Sequence, residues 1–236
     1  MHKPLRSVLI ALALLGVAAL SLPRLLPALL GWWNPAIVFR AETAQKVIYL
    51  TIDDAPTEST HQILAVLAKH KVHATFFIIA GRVRSEADLR AIVGAGHALG
   101  HHMRTTQRCS QLTMADFVAD FDTTDTLIKR CYPAVLFRPP SDFGTEQQLA
   151  YVKGKGYTPV LGTIFPLDHW LQRTWLLSWF VRWLSVPGGI LIMHDGQHRA
   201  ARTAEVLDAV IPKLKSQGFE FAALTTLPKH RTSKGN

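Results

Sequence analysis

The chain has 236 residues, 48% of them hydrophobic, enough to bury a substantial core as one domain plus an appendage. Its formal net charge is +9, yet the Lys and Arg residues form neither a basic stripe nor a recognition motif, which argues against nucleic acid as a partner. The surplus suits an extracytoplasmic protein close to anionic lipid or an anionic wall polymer.

The first predicted element is apolar. After Lys3 and Arg6 an uncharged run extends from Ser7 to Leu22, and beyond Pro23 and Arg24 the chain stays apolar through Trp32 and Trp33. The run alone is shorter than the roughly 20 residues of a spanning helix, and its continuation to Trp33 makes up the length. No small-x-small cleavage site is evident, the paired tryptophans suit a membrane interface, and the two basic residues place the N-terminus in the cytoplasm. Residues 1–33 therefore read as a hydrophobic anchor helix that leaves the domain on the extracytoplasmic side, with secretion after signal-peptide cleavage as the alternative. Residues 34–45 read as a linker, 46–228 as the domain, and 229–236 (KHRTSKGN) as a disordered basic tail.

From residue 46 short apolar runs alternate with helical stretches. Strands are expected at 46–53, 73–80, 97–102, 134–140, 158–163, 189–196 and 220–224, and helices at 58–71, 85–96, 113–130, near 145–154, 172–185 and 200–217. Strict alternation with continuously apolar strands predicts an α/β fold with a parallel sheet covered on both faces. About seven such units predict a distorted (β/α) barrel; an open doubly wound sheet is the other arrangement the pattern allows. Thr113, with Asp116 in the first turn, starts the third helix, which lies between Cys109 and Cys131. At about 1.5 Å per residue that helix separates its ends by roughly 25 Å, whereas bridged cysteines need Cα atoms within about 7 Å. Two free thiols are expected. Trp175, Trp179 and Trp183 recur every four residues beside a face of Thr174, Ser178, Arg182 and Ser185. The stripe reads as the face that packs on the barrel, with partial membrane contact as a second reading.

Polar residues gather at strand ends. Asp53 and Asp54 close the first strand, His101 and His102 the third, Arg138 the fourth and His194 with Asp195 the sixth, while Asp168 follows the fifth. In a (β/α) barrel these ends share one face. Asp53-Asp54-Ala55-Pro56 can be ordinary turn chemistry, but two adjacent carboxylates repel unless a cation or donor compensates them. His97 reads as a buried histidine supporting a turn, and His61, His70, His73 and His198 as surface or helix-end residues.

From Val47 to Leu227 the chain resembles a polysaccharide deacetylase of carbohydrate esterase family 4. The resemblance rests on TIDDAP, GHALGHHMRTT, FRPP, FPLDHW and ILIMHDG, in the family's order and spacing. It implies a hydrolase that removes N-acetyl groups from an extracytoplasmic glycan, giving an amine and acetate. It implies Asp54 and His102 as ligands of a divalent metal, of which Zn²⁺ is the expected one, Asp53 as general base oriented by Arg138, and His194 as general acid oriented by Asp168. Backbone N–H near Pro140 and Ser141, with Trp170, would face the substrate. The sequence departs from the family pattern at Thr106, which occupies the position of the second ligand histidine, at Ala55 in place of a glycine, and in RPPSDFG, which lacks the usual tyrosine and delays the glycine. Two other readings stay open: a catalytically impaired glycan-binding protein, and an amidohydrolase acting on a non-sugar amide. The oligomeric state is not legible.

Overall fold

The computed structural model describes residues 25–168, 170–196 and 199–226, together with positions 7, 8, 14, 16, 17 and 21. The expected basic tail and most of the expected anchor lie outside these residues. Among the described residues no helix is long and apolar enough to cross a membrane, and what remains of the apolar segment is a helix, α1, described over residues 25–33.

Seven strands follow: β1 (Val47–Ala55), β2 (Thr75–Ile78), β3 (Ala98–His101), β4 (Leu136–Phe137), β5 (Thr158–Pro159), β6 (Ile190–His194) and β7 (Glu220–Ala222). Six longer helices connect them: α2 (Thr60–His70), α3 (Glu86–Gly94), α4 (Met114–Lys129), α5 (Glu146–Gly154), α6 (Thr174–Leu184) and α7 (Ala200–Ser216). All ladders are parallel, in the order β5-β4-β3-β2-β1-β6. Tyr49 of β1 is partner to both Ile190 and Ala222, so β7 lies along the β2 edge of β1. With helices outside, the strands bury apolar side chains: Ile48, Leu50, Ile52, Phe76, Ile78, Leu191 and Met193 join one core with Leu207, Val210 and Ile211 of α7.

The sheet curls back on itself without completing a β5–β6 ladder. One parallel bridge, Ile164 to Leu191, joins the chain beyond β5 to β6. The rest of the seam is sutured by the residues before β1: Val38 bridges Val160, and Arg40 bridges Gly189. Ile37, Phe39 and Ala41 are buried along it, so the stretch expected as a linker forms part of the wall. The expected barrel is an incomplete one.

Local chemistry explains the helix ends. Thr113 accepts the Asp116 N–H and donates its hydroxyl to the Asp116 carboxylate at 2.7 Å, capping α4. Thr145 and Gln148 form a capping box that starts α5. Cys109 and Cys131 are free thiols on either side of α4. The tryptophan stripe faces the other way from the expected packing. α6 buries Leu177, Ser178 and Val181 against the body, while Trp175 is 70% and Trp179 45% exposed, with Trp183 stacked on Trp179. The face turned inward is the one that carries Leu177 and Val181.

His97, buried as expected, accepts the Ala74 N–H on Nδ1 at 3.2 Å and lies 5.7 Å from the His73 ring. Burial, aided by His73, lowers its pKa from 6.5 to about 4. The folded state therefore resists a proton that the unfolded chain accepts. This stability is fully present above pH 6.5 and is lost as the pH falls towards 4. Asn at this position keeps an acceptor but does not titrate. Urea unfolding followed between pH 7 and 4 should show the wild type losing about 3 kcal/mol more than His97→Asn.

Candidate active site

The strand ends converge on one cleft around β1, which pairs with β2, β6 and β7. Thr51 and Asp53 are two residues apart and share a face, and Asp53 is the register partner of His194 on β6. Asp54 would ordinarily point to the opposite face. Instead the β1–β2 register shifts between Ile52 and Ala55, and Asp54 takes φ +67°, a left-handed conformation that Asp tolerates better than most residues. This bulge brings both carboxylates to the same side. The chain then leaves through Thr57 and Thr60, whose hydroxyls donate to the buried Asp195 carboxylate at 2.8 and 2.5 Å. Burial raises the Asp195 pKa against those hydrogen bonds.

β3 ends on two histidines with opposite roles. His101 turns outward, stacks on Phe121 at 4.1 Å and bonds through Nε2 to the Phe121 carbonyl. Burial lowers its pKa to about 4, so it is a neutral core residue. His102 turns inward. Its Nδ1–H donates to the Arg138 carbonyl at 2.7 Å, and its Nε2 faces Asp54 Oδ1 at 3.7 Å and Asp53 Oδ2 at 3.9 Å. Burial lowers its pKa against the pull of both carboxylates. The neutral ring thus presents a lone pair to carboxylate oxygens across a gap too long for a hydrogen bond.

Arg138, 1% exposed, donates from Nη1 to Asp53 Oδ1 at 2.5 Å and to the Thr51 hydroxyl at 2.8 Å, with its guanidinium 4.0 Å above the Phe77 ring. On the other flank Asp168, buried, accepts from His194 Nδ1 at 2.8 and 2.9 Å. Arg202 donates to the Asp168 carbonyl, and Thr203 to the His194 carbonyl, holding the pair against α7. Asp53, Asp54, His102, Arg138, Asp168 and His194 are therefore in one cleft. Trp170, two residues beyond Asp168, is exposed, and Ser141, with φ +61°, follows the buried Pro140. Pro140 has no N–H, so Ser141 alone of the two carries a backbone donor. Thr106 is exposed and contributes only its carbonyl, an acceptor for the Ser141 hydroxyl at 3.5 Å.

Two residues of the site carry no motif. Arg199, just before α7, donates from Nη2 to Asp54 Oδ2 at 2.8 Å and from Nε to the Gly196 carbonyl. Arg82 donates to the Asp54 carbonyl. Nothing in the spacing of GQHRAART marks Arg199, and nothing in AGRVRS marks Arg82.

The donor set fits a divalent ion through two residues. His102 Nε2 and Asp54 Oδ1 face each other at 3.7 Å, a separation that one ion about 2 Å from each would span. Among the described residues no cluster of three or more His, Cys, Asp or Glu is arranged to hold a metal. His61 is exposed and His70 pairs with Asp208 at 2.6 Å, both away from the cleft, while His198 lies outside the described residues.

Residues 40–160 match the family model described as polysaccharide deacetylase. A chitooligosaccharide deacetylase of Rhizobium leguminosarum is 30% identical over 192 residues, covering 75% of this chain and 89% of that protein. A peptidoglycan-N-acetylglucosamine deacetylase of Bacillus cereus is 27% identical over 205 residues, covering 83% and 94%. Among solved structures, a pseudoenzyme of carbohydrate esterase family 4 from Bacillus anthracis superposes with a TM-score of 0.74 at 27% identity, covering 82% of this chain and 69% of that one. A mutant of that pseudoenzyme has restored enzymatic activity.

Arg138 and Asp53 are both buried, so removing one strands the other. Arg138→Met should cost about 3–5 kcal/mol in urea unfolding, and adding Asp53→Asn should recover part of it.

Proposed function

The chain belongs to the polysaccharide deacetylase family, and from that premise we propose that it hydrolyses N-acetyl groups on an extracytoplasmic glycan, releasing acetate and leaving a free amine. The observation that carries this reading is the pairing of Asp53 with His194 as direct neighbours across β1 and β6, each held by its own buried partner. One carboxylate fixed by a guanidinium and one imidazole fixed by a carboxylate supply a base and an acid on two sides of a single cleft.

In this reading Asp53, held by Arg138, accepts the proton of the attacking water. The Asp168 carboxylate holds the Nδ1–H of His194, so that Nε2 is the atom that delivers a proton to the departing nitrogen. The Ser141 N–H is the backbone donor at hand for the carbonyl oxygen as it gains charge. Trp170 offers an aromatic face at the rim for a sugar ring. Asp54 and His102 would hold a divalent ion, with Zn²⁺ our expectation, which supplies Lewis-acid polarisation of the acetyl carbonyl and lowers the pKa of water. We further assign residues 1–33 as the anchor of the domain outside the membrane, supported by the uncharged run from Ser7 to Leu22 behind Lys3 and Arg6.

The position of Thr106, exposed and short of a ligand histidine, favours a second reading, a glycan-binding member without catalysis. Acetate release from chitooligosaccharides and peptidoglycan fragments decides between them. The enzyme reading expects release that falls by about 10²–10⁴-fold in both Asp53→Asn and His194→Ala. Binding of these glycans without acetate release would establish the second reading, and release from small amides alone would make the protein an amidohydrolase.

A further inference from the structure

α1 is apolar on both sides. Pro27 is buried, and Leu30 packs on the cluster of Ile37, Phe39 and Leu149 in the wall. Leu25, Leu29 and Trp32, at helical spacing, are exposed together with Leu26. The helix is also fixed to the barrel. Trp33 meets the Phe143 ring edge-on at 5.6 Å, and only residues 34–36 separate α1 from the buried Ile37. Those residues form a tight turn: the Asn34 N–H donates to the Leu30 carbonyl, and the Ile37 N–H to the Asn34 carbonyl. A flexible linker would let the domain swing; here the barrel follows the direction of α1. Phe143 lies two residues beyond Ser141, so the end of α1 stands beside the cleft.

α6 meets the same seam from its other border. Arg40, which bridges Gly189, donates from Nε to the Pro187 carbonyl at 2.8 Å, just past the end of α6. A groove of about 590 Å³ along α1 and one of about 500 Å³ at the end of α6 share Arg40 as a wall. Trp175 and Trp179 are exposed on α6, with Trp183 stacked on Trp179. Between Asp168 and Asp195 the chain carries Arg173 and Arg182 and no Asp or Glu. Tryptophans flanked by arginines suit the headgroup level of a bilayer, above all one with anionic lipid.

We propose that the seam face of the barrel, formed by the outer side of α1 and the tryptophan stripe of α6, lies on the bilayer surface and holds the cleft at a fixed orientation to the membrane. The proposal rests on the assignment of residues 1–33 as an anchor and adds which side of the domain meets the lipid. Two separate apolar surfaces, exposed on elements that border one seam, then share a single occupant.

The test uses the full-length protein labelled with 5-fluorotryptophan in nanodiscs of phosphatidylcholine and phosphatidylglycerol. Its six tryptophan resonances are assigned by single Trp→Phe substitutions. A lipid carrying a nitroxide on its headgroup should abolish the Trp32, Trp175 and Trp179 signals together. Loss of Trp32 alone, with Trp175 and Trp179 unchanged, overturns the proposal and leaves the anchor and deacetylase readings standing. Survival of all three signals overturns the anchor assignment and the proposal with it. Trp175 and Trp179 signals that ignore the nitroxide but shift with added chitooligosaccharide would make the stripe a glycan platform, and would equally overturn the proposal.

Discussion

Two carboxylates adjacent in sequence are buried on the same side of one strand, and most of the cleft can be understood as the means of compensating them. A regular strand would separate Asp53 and Asp54 to opposite faces. The bulge at the end of β1 abolishes that separation, and each acid then needs its own counter-charge in a place water reaches poorly. Arg138 comes from β4, two strands beyond the nearest neighbour of β1, and has to be fully buried to arrive. Arg199 comes from the far side, beyond β6. The arginines reach the pair from opposite flanks of the barrel.

This division also organises the chemistry. Asp53 is tied to the rigid side, where Arg138 is pinned by Thr51, the Val160 carbonyl and the Phe77 ring. A base fixed so firmly keeps its direction through a reaction. Asp54 is tied to a loop and a helix start, through Arg82 on its carbonyl and Arg199 on its carboxylate. His102 stands between the two, its lone pair aimed at both and its other nitrogen secured to the backbone of Arg138 itself. The two acids thus differ in the elements that hold them and not in residue type.

Much of this was legible in the sequence, for physical reasons that can be named. Alternation placed all seven strands, because parallel strands buried on both faces leave continuous apolar runs. Period two separated His102 from His101, and the pairs Arg138–Asp53 and Asp168–His194 followed from motifs whose order survived. Arg199 and Arg82 were not legible, since a long side chain reaching back to a neighbouring loop leaves no periodicity. The tryptophan stripe showed that α6 is amphipathic but not which face turns inward, as Leu177 and Val181 compete with Trp175 and Trp179 for the core. The seam before β1, which reads as a linker by its position, carries the pattern of a strand. Ile37, Phe39 and Ala41 alternate with Val38 and Arg40, as a strand would.

That seam has a consequence for how the molecule withstands handling. Parallel strands at the border of an unclosed sheet offer bare amides and carbonyls to any passing chain. Here Val38 satisfies the Pro159 carbonyl and the Leu161 amide, and Ala41 the Gly188 carbonyl. A polypeptide trimmed to begin at Ala41, just upstream of β1, would keep every residue of the cleft and lose the stitch at Val38. The freed border beside β5 would then be the place where molecules stick to one another, so the usable boundary of the domain lies ahead of Ile37.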